Sequence, residues 1–274
     1  MSIWLYPEIA HQDHPLITTL GIYDKRVLPS ITKGLERQQS NNCTFCDTKL
    51  QEFTQEQDPL NNGFETKKVK ICPHCGWWTA IRWGAMSIGS ASATYVFHGS
   101  ALLKEMDLTD VSIPLAEVEH YLLAKYKARF KLSPKLMERI VADVFKQMGY
   151  QSRVTAFSND GGIDVILDKG DETIGVQVKR YRNKIKVEQI RQLVGALVLA
   201  RMTKGMIVTT SDFQRGAEGA VQRYNELGYR VKLINADRFF SALQFVKRTM
   251  YRSFSDFEGL GFFDRIPLIG QEVG

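Results

Sequence analysis

Apolar positions in the second half of the chain follow two periods, one typical of helices and one typical of strands. After Ser133-Pro134, a helix-start signature, apolar residues recur three and four positions apart as far as Met148. Gly149 then fits the position that follows a helix end. Short apolar runs bounded by Gly and Asp predict three strands next, at Gln151 to Phe157, Gly162 to Leu167 and Thr173 to Lys179.

The remainder of this region alternates between helices and strands. The predicted elements are a helix from Val187 to Arg201, a strand from Gly205 to Thr210, a helix from Phe213 to Leu227, a strand from Tyr229 to Ile234 and a helix from Ala236 to Met250. The strand from Gly205 is a continuous apolar run, which is typical of a strand covered on both faces. The order α-β-β-β-α-β-α-β-α predicts an α/β fold with a mixed sheet flanked by helices.

Polar residues interrupt two of the predicted strands. Gln177 and Lys179 point to one face of their strand because side chains alternate, while Val176 and Val178 point to the other. If Asp164 lies on the same face of the preceding strand, then a carboxylate, an amide oxygen and an ammonium group converge at the size of one hydrated divalent ion. Taken singly, each residue could also be the solvated face of an edge strand.

All four cysteines of the chain form two Cys-x-x-Cys pairs, Cys43 with Cys46 and Cys72 with Cys75. Each pair resembles the turn that presents two thiolates to one tetrahedral ion, and Zn²⁺ is the natural occupant. A closed set of four thiolates leaves no position for a substrate, so the predicted role is structural. Two disulfides are the alternative, but a reducing compartment disfavours them.

These patterns divide the chain into five predicted regions. They are an unassigned segment at 1–40, a four-cysteine zinc ribbon at 41–83, a linker and connecting helix at 84–130, the α/β domain at 131–250 and a Phe-rich tail at 251–274. The connecting helix is expected from Leu115 to Phe130, while the stretch from Gly84 to Ser100 is rich in Gly, Ala and Ser. Such a composition favours a linker.

Charge is concentrated in the α/β domain. The whole chain of 274 residues has a net charge of +6, but residues 131–250 alone carry 21 Lys and Arg against 12 Asp and Glu. A basic region around a carboxylate site is typical of a protein that binds a polyanion, although a basic and inert surface is the alternative. No apolar run is long enough to span a membrane, and the start at Met1 has no signal-like pattern. We therefore expect a cytoplasmic protein without a membrane partner.

Four features in combination resemble the Mrr-type branch of the PD-(D/E)xK nuclease superfamily. They are a helix carrying Glu138, the run Gly161-Gly162-Ile163-Asp164, the run Gln177-Val178-Lys179-Arg180-Tyr181, and a strand ending in Val208-Thr209-Thr210. Neither the Gly-Gly-Ile-Asp run nor the Gln-Val-Lys run is specific alone. The resemblance covers about residues 131 to 245. Gln177 stands where many members of the superfamily have Asp or Glu, and Mrr-like proteins are similar in having Gln there.

This resemblance implies roles for individual residues. Asp164 would be the principal Mg²⁺ ligand, Glu138 a second carboxylate reaching the ion directly or through water, and Gln177 a ligand through its side-chain oxygen. Lys179 would position or activate the attacking water. Asp160 is expected to form a turn and lie outside the metal ligands. The basic run after the catalytic lysine is the predicted DNA contact, and its members are Arg180, Tyr181, Arg182, Lys184 and Lys186.

The resemblance also implies a function, a metal-dependent DNA endonuclease acting in restriction or defence against foreign DNA. Two alternatives stay open, a non-cleaving DNA-binding or scaffold protein that keeps the nuclease fold, and a repair or junction nuclease. Cutting both strands needs two active sites, which agrees with a homodimer or higher oligomer. Control by an activating partner protein is also compatible with the sequence.

Overall fold

The computed structural model describes residues 3–5, 39–57, 63–88, 91–155, 162–250 and 252–256. It divides the chain into two compact units, one comprising Met1–Glu105 with Thr249–Gly274 and the other Met106–Arg248. Within the described ranges, no helix is long and apolar enough to cross a membrane.

Strands make up the described part of the first unit. They are β1 (Trp4–Leu5), β2 (Gln51–Gln57), β3 (Gly63–Ile71), β4 (Trp78–Ile88), β5 (Ala91–Ser100) and β6 (Leu102–Leu103). Strands β2 to β5 form an antiparallel sheet in sequence order, and β1 pairs with β6. The two Cys-x-x-Cys turns precede β2 and β4, as the ribbon prediction requires.

The structure differs from the sequence prediction between residues 84 and 100. This stretch was expected to be a linker, but β4 continues to Ile88 and pairs along its length with β5. Small residues at Gly84 and Ala85 give no clear alternation of apolar and polar positions, so the local signal for a strand is weak. Pairing with β3 on one side and β5 on the other supplies the backbone hydrogen bonds that the local sequence does not reveal.

The second unit contains the predicted α/β domain. Its elements are α1 (Leu115–Ala124), a 3₁₀ helix (Tyr126–Lys131), α2 (Pro134–Gln147), β7 (Gln151–Val154), β8 (Val165–Lys169), β9 (Glu172–Lys179), α3 (Val187–Leu199), β10 (Lys204–Thr209), α4 (Arg215–Glu226), β11 (Arg230–Ile234) and α5 (Ala236–Val246). The sheet order is β11-β10-β9-β8-β7. Strands β9, β10 and β11 are parallel, whereas β7, β8 and β9 are antiparallel, so the predicted mixed sheet and its element order are confirmed.

One connecting helix was expected from Leu115 to Phe130, and the structure divides it. Helix α1 ends at Ala124 because Lys125 leaves the helical region, with φ of −130° and ψ of 68°. The 3₁₀ helix then carries the chain toward α2. Apolar spacing alone does not distinguish these two helix types over so short a stretch.

Helix α2 begins and ends where the sequence predicts. The Ser133 hydroxyl accepts a hydrogen bond from Leu136 N at 3.2 Å, and Gly149 has a φ of +88°. Its apolar stripe is buried, and the fully buried members are Leu136, Met137, Ile140, Val141 and Val144. This helix packs against β7, β8 and β9 and against α5, which in turn contacts β10.

The other face of the sheet is covered by α3 and α4. Their buried residues form one apolar cluster with Ile207 of β10 and Val231 of β11. Gly205 permits the close approach of α3, since a Cβ at this position would lie 2.5 Å from Leu197 Cδ1. The mixed sheet is therefore enclosed by α2 and α5 on one face and by α3 and α4 on the other.

Candidate functional site

The predicted site lies where β8 begins and β9 ends. Asp164 immediately precedes β8, and its main chain is bonded to the chain on both sides. Its N–H donates to Val176 O of β9 at 2.8 Å, and its carbonyl accepts from Thr155 N, just after β7, at 3.0 Å. The tight turn joining β8 to β9 contains Gly170, which has a φ of +58°. The turn returns β9 past Asp164, so residues far apart in sequence meet at this end of the sheet.

The Asp164 carboxylate is anchored to the neighbouring strand. Its Oδ2 accepts a hydrogen bond from Val178 N at 2.6 Å. Val178 lies between Gln177 and Lys179, whose side chains share one face of β9. The structure thereby brings three of the four predicted catalytic residues to one place.

Gln177 has an unusual environment for an amide. Gln177 is only 3% exposed, and its side-chain Oε1 has no hydrogen-bond partner among the described residues. Its Nε2 faces Gly162, where a Cβ would come within 2.9 Å. A buried oxygen acceptor without a partner costs about 1 to 3 kcal/mol, and a cation beside it would remove that cost. The amide and the Asp164 carboxylate are the hard oxygen donors that Mg²⁺ prefers.

Glu138 lies on α2, half-buried, between the buried Met137 and the partly buried Arg139. Helix α2 leads into β7, and it packs along β7, β8 and β9. Its first half therefore extends toward the end of β7, which is the end of the sheet where Asp164 precedes β8. Glu138 lies in the helix layer on the face opposite α3, whereas Gln177 shares the β9 face of Gly175, which is turned toward Leu197 of α3. The predicted position of Glu138 at the flank of the helix stripe agrees with its partial burial.

Hydroxyl groups from the end of β10 hold the chain around Lys179. Lys179 O accepts from Thr209 Oγ1 at 2.8 Å and from Thr210 N at 3.1 Å. The hydroxyl groups of Thr209 and Thr210 both donate to the protein main chain. Ser211, which the sequence analysis did not select, donates to Arg182 O at 3.0 Å.

The five predicted DNA-contact residues differ in their availability. Four are exposed, namely Tyr181, Arg182, Lys184 and Lys186. Arg180 is instead half-buried, and its Nη1 donates to Phe130 O at 2.9 Å. Lys184 pairs with Asp212 at 2.9 Å, and hydrogen bonding to Lys184 lowers the pKa of Asp212 to about 2.

Arg129 is a further residue at this end of the sheet. Its guanidinium carbon lies 3.7 Å from the centroid of the Tyr126 ring and 4.0 Å from that of Phe130. Its Nε donates to Thr210 O at 3.0 Å. These contacts tie the 3₁₀ helix to the end of β10. The sequence signal was an Arg between two aromatic residues, which is too common to be selected without the structure.

The two cysteine turns of the first unit are equivalent in their hydrogen bonding. Cys43 N donates to Thr48 O and Cys72 N donates to Trp77 O, while Asp47 N and Gly76 N donate back to the carbonyls of Cys43 and Cys72. The residue after each pair has positive φ, 56° at Asp47 and 74° at Gly76. Two turns of the same geometry therefore face one another.

All four cysteine sulfur atoms lie within 4.8 Å of one another, and none is in a disulfide. The Sγ–Sγ distances are 3.6 Å for Cys43 with Cys75, 3.4 Å for Cys46 with Cys72 and 3.8 Å for Cys46 with Cys75. A tetrahedral Zn²⁺ with Zn–S bonds of about 2.3 Å requires sulfur atoms about 3.8 Å apart. The cluster fits this ion.

The four thiols shift one another's pKa in opposite directions. Their mutual hydrogen bonds lower the pKa of Cys46 and of Cys72 and raise the pKa of Cys43 and of Cys75. Main-chain donors also point at sulfur, with Phe45 N at 3.4 Å from Cys43 Sγ and Cys75 N at 3.5 Å from Cys72 Sγ. His74 Nδ1 lies 3.0 Å from Thr48 Oγ1, so the imidazole is held beside the cluster by a hydroxyl group.

Three predicted features lie outside the described residues. They are Asp160, Gly161 of the Gly-Gly-Ile-Asp run, and the phenylalanines of the tail from Phe257 onward.

The sequence of the second unit matches a known family. Residues 130–243 match the Mrr_cat family, described as restriction endonuclease. The second unit contains an Mrr-type restriction endonuclease domain. The match includes Glu138, Asp164, Gln177 and Lys179, so it covers the whole of the candidate site. The domain spans less than half of the chain.

Two curated relatives are similar over parts of the chain. The type IV methyl-directed restriction enzyme EcoKMrr of Escherichia coli strain K12 is 34% identical over 106 residues, which is 33% of this chain and 35% of the relative. An uncharacterized protein of Sinorhizobium fredii, y4cE, is 26% identical over 207 residues, which is 70% of this chain and 49% of that protein. The chain thus spans about half of one relative and about a third of the other.

One solved structure is also similar, that of the MspJI restriction endonuclease in complex with a 27-mer oligonucleotide. It has 22% sequence identity and a TM-score of 0.30, and the similarity covers 56% of this chain and 34% of that one.

Proposed function

We propose that the Mrr-type domain hydrolyses phosphodiester bonds within DNA and depends on a divalent cation, Mg²⁺. The observation that carries this proposal is the Asp164 carboxylate fixed to Val178 N–H, beside a buried Gln177 Oε1 that has no hydrogen-bond partner among the described residues. A scaffold that only held the fold would gain nothing from that buried oxygen. Lys179 on the same strand face supplies the cation that such a nuclease needs near the phosphate.

Asp164, Gln177 and Glu138 would hold Mg²⁺ through oxygen atoms. When bound, the ion polarises the phosphate and lowers the pKa of coordinated water. Lys179 would position the attacking water and stabilise negative charge on the phosphate, because its ammonium group follows Gln177 by two positions on the same face.

The basic segment after Lys179 would hold the DNA. Tyr181, Arg182, Lys184 and Lys186 are exposed and lie at the end of β9 and the start of α3. The positive charge of residues 131–250 would attract a polyanion at long range. We propose that these four residues bind the phosphate groups of DNA. Arg180 has a structural role instead, because its side chain bonds Phe130 O.

We also propose that the physiological role is restriction of foreign DNA. The support is the match of the domain to restriction endonucleases and the likeness to EcoKMrr, which is named a type IV methyl-directed enzyme. A homodimer or higher oligomer would supply the second active site that cutting of both strands requires. An activating partner protein would control the activity. These assemblies and a cytoplasmic location remain predictions.

For the first unit we propose a structural Zn²⁺ site at Cys43, Cys46, Cys72 and Cys75. The support is the near-tetrahedral spacing of the sulfur atoms and the equivalence of the two turns. Metal binding of order 10 kcal/mol can supply the folding free energy of a small module. This unit would aid target binding or assembly rather than take part in the chemistry.

Cleavage of plasmid DNA tests the proposed activity. The wild-type protein is incubated with Mg²⁺, with Mn²⁺ and with EDTA, on methylated and unmethylated plasmid, single-stranded DNA and a branched junction. Cutting of duplex that needs the metal, with a preference for modified DNA, supports restriction. Preferential cutting of the junction supports the repair alternative. Tight DNA binding with no cutting under any metal condition supports the non-cleaving alternative.

A further inference from the structure

The residues that follow β10 hold the segment that follows β9 by side-chain hydrogen bonds. Main-chain pairing of the two parallel strands reaches Thr209 opposite Lys179. Beyond this point, Thr210 Oγ1 donates to Tyr181 O at 3.0 Å and Ser211 Oγ donates to Arg182 O at 3.0 Å. With Thr209 Oγ1 on Lys179 O at 2.8 Å, three consecutive hydroxyl groups bind three carbonyls of the opposite segment. We call residues 209–211 the hydroxyl clamp.

The hydroxyl groups of Thr209 and Thr210 are held in place as hydrogen-bond donors. Thr209 and Thr210 are both 0% exposed, and the Thr209 hydroxyl also accepts from Ser211 N at 3.2 Å. Its proton is therefore directed at Lys179 O. Thr210 is fixed from a second side, because its carbonyl accepts from the stacked guanidinium of Arg129.

The contacts continue past the clamp. Ile185 N donates to Asp212 O at 2.8 Å, and Gln214 N donates to Ile185 O at 2.9 Å. The segment from Lys179 to Ile185 is thus fixed at both ends by the segment from Thr209 to Gln214. Between these ends, its hydrogen bonds to the β10 side within the described residues are those of the Thr210 and Ser211 hydroxyl groups and that of Lys184 Nζ with Asp212.

Packing does not require hydroxyl groups at these positions. Valine has nearly the shape of threonine, and buried strand ends readily accept it, but it cannot donate to a carbonyl. Thr209 and Thr210 are fully buried, and each donates to the segment that carries the catalytic lysine and the basic residues. Their hydroxyl groups are explained if they align that segment. A displacement of about 1 Å at a reacting group can cost on the order of a hundredfold in rate.

We propose that Thr209, Thr210 and Ser211 are positioning residues of the nuclease site, and this proposal rests on the proposed function. Thr209 aligns Lys179 for the chemical step, whereas Thr210 and Ser211 hold the carbonyls of Tyr181 and Arg182 and so orient the exposed side chains for DNA. The two parts of the clamp then act on different kinetic quantities. Loss of the Thr209 hydroxyl lowers kcat, and loss of the other two raises KM.

The test uses the full-length protein with Thr209→Val, Thr209→Ser, Thr210→Val and Ser211→Ala. Thr173→Val is the matched control, because the Thr173 hydroxyl donates to Asp168 at the other end of β9. Cleavage kinetics are measured in Mg²⁺, DNA affinity by fluorescence anisotropy in EDTA, and amide hydrogen exchange over peptides covering residues 178–186.

The expected results separate the members of the clamp. Thr209→Val lowers kcat about tenfold or more with KM changed less than about twofold, and Thr209→Ser restores most of the rate. Thr210→Val and Ser211→Ala weaken DNA binding by about threefold to tenfold and speed exchange over residues 178–186. Thr173→Val leaves kcat, KM and exchange over that segment at the wild-type values.

Three outcomes would overturn the clamp. They are a Thr209→Val rate equal to wild type, an equal loss in Thr209→Val and Thr209→Ser, or unchanged exchange and DNA affinity in both other variants. A wild-type protein that cuts no DNA under any metal condition contradicts the proposed function instead. Exchange and DNA affinity then still decide whether the hydroxyl groups hold the basic segment.

Discussion

Val178 N–H donates to Asp164 Oδ2 at 2.6 Å, which joins the start of β8 to the end of β9 through a side chain. The two residues are 14 positions apart, and the backbone ladder between their strands begins only at Val165 with Val176. The bond points one carboxylate oxygen toward β9. The orientation of the carboxyl group is therefore fixed by the protein main chain and not by water. A carboxylate held this way would lose little conformational freedom on binding the proposed Mg²⁺.

Gly162 is predicted to control the orientation of Gln177. Its φ is +103°, and a Cβ there would lie 2.9 Å from Gln177 Nε2, so Gly162→Ala both strains the backbone and displaces the amide. We expect a loss of roughly 1 to 3 kcal/mol in the free energy of unfolding and a weaker affinity for Mn²⁺. Urea denaturation and Mn²⁺ titration measure these two effects. Gly195→Ala on α3 is the control, because nothing lies within 4 Å of a Cβ at that position.

Neighbouring arginines are predicted to differ in role. Arg182→Ala should weaken DNA binding and reduce its dependence on salt, with little change in stability, because this side chain is exposed. Arg180→Ala should instead lower the free energy of unfolding, since Arg180 Nη1 bonds Phe130 O. Salt titrations of DNA affinity and thermal unfolding of both variants check the distinction. Equal effects of the two substitutions on both measurements would contradict it.

Stability is predicted to depend on pH through Glu119 of α1. Burial raises the pKa of this fully buried carboxyl to about 7, against the opposing effect of Lys247 Nζ at 2.6 Å. The folded state then holds a proton that the unfolded state releases above its ordinary pKa of about 4.5. The contribution of Glu119 to stability is thus fully present below pH 4.5 and is lost as pH rises through 7.

Glu119→Gln should remove this dependence. We expect the free energy of unfolding of the variant, relative to wild type, to increase by on the order of 1 to 3 kcal/mol between pH 4.5 and pH 7. Denaturation in urea across this pH range measures the difference. Glu188→Gln, at an exposed position on α3, is the control and should run parallel to wild type. A wild-type curve parallel to that of Glu119→Gln would exclude the assignment.

Zinc content is predicted to depend on the cysteines and not on the histidine beside them. Cys72→Ser should abolish binding of one Zn²⁺ per chain and unfold the first unit, because the metal supplies folding free energy. His74→Ala should keep the metal, since four thiols already lie at tetrahedral spacing and the imidazole bonds to Thr48. Elemental analysis of purified protein distinguishes them. Loss of zinc in His74→Ala would show that the ligand set is not four cysteines.

Some of these features were predictable from sequence and others were not. The period of α2 and its cap at Ser133 are local signals, and both appear in the structure. The sequence could also place Gln177 and Lys179 on one strand face, because alternation along a strand is local. The bond from Val178 to Asp164 and the Ser211 contact depend on how separate strands meet, which no local pattern contains.

The errors have the same origin. The stretch from Gly84 to Ser100 has the composition of a linker, and it forms strands only because β3 and β5 provide partners for β4. Glu119 was likewise not singled out from the sequence, because its pairing with Lys247 Nζ at 2.6 Å joins residues far apart along the chain. Long-range pairing decides both cases.

The most direct test of the account compares Asp164→Asn, Lys179→Ala and wild type for cleavage of plasmid DNA in Mg²⁺ and for DNA binding in EDTA. Asp171→Asn, in the exposed turn before β9, and Lys232→Ala, on the exposed side of β11, are the matched controls. The account predicts that both site variants bind DNA but lose cleavage by at least about a hundredfold, while both controls cut like wild type. Cleavage by Asp164→Asn at the wild-type rate would contradict the assignment of this site.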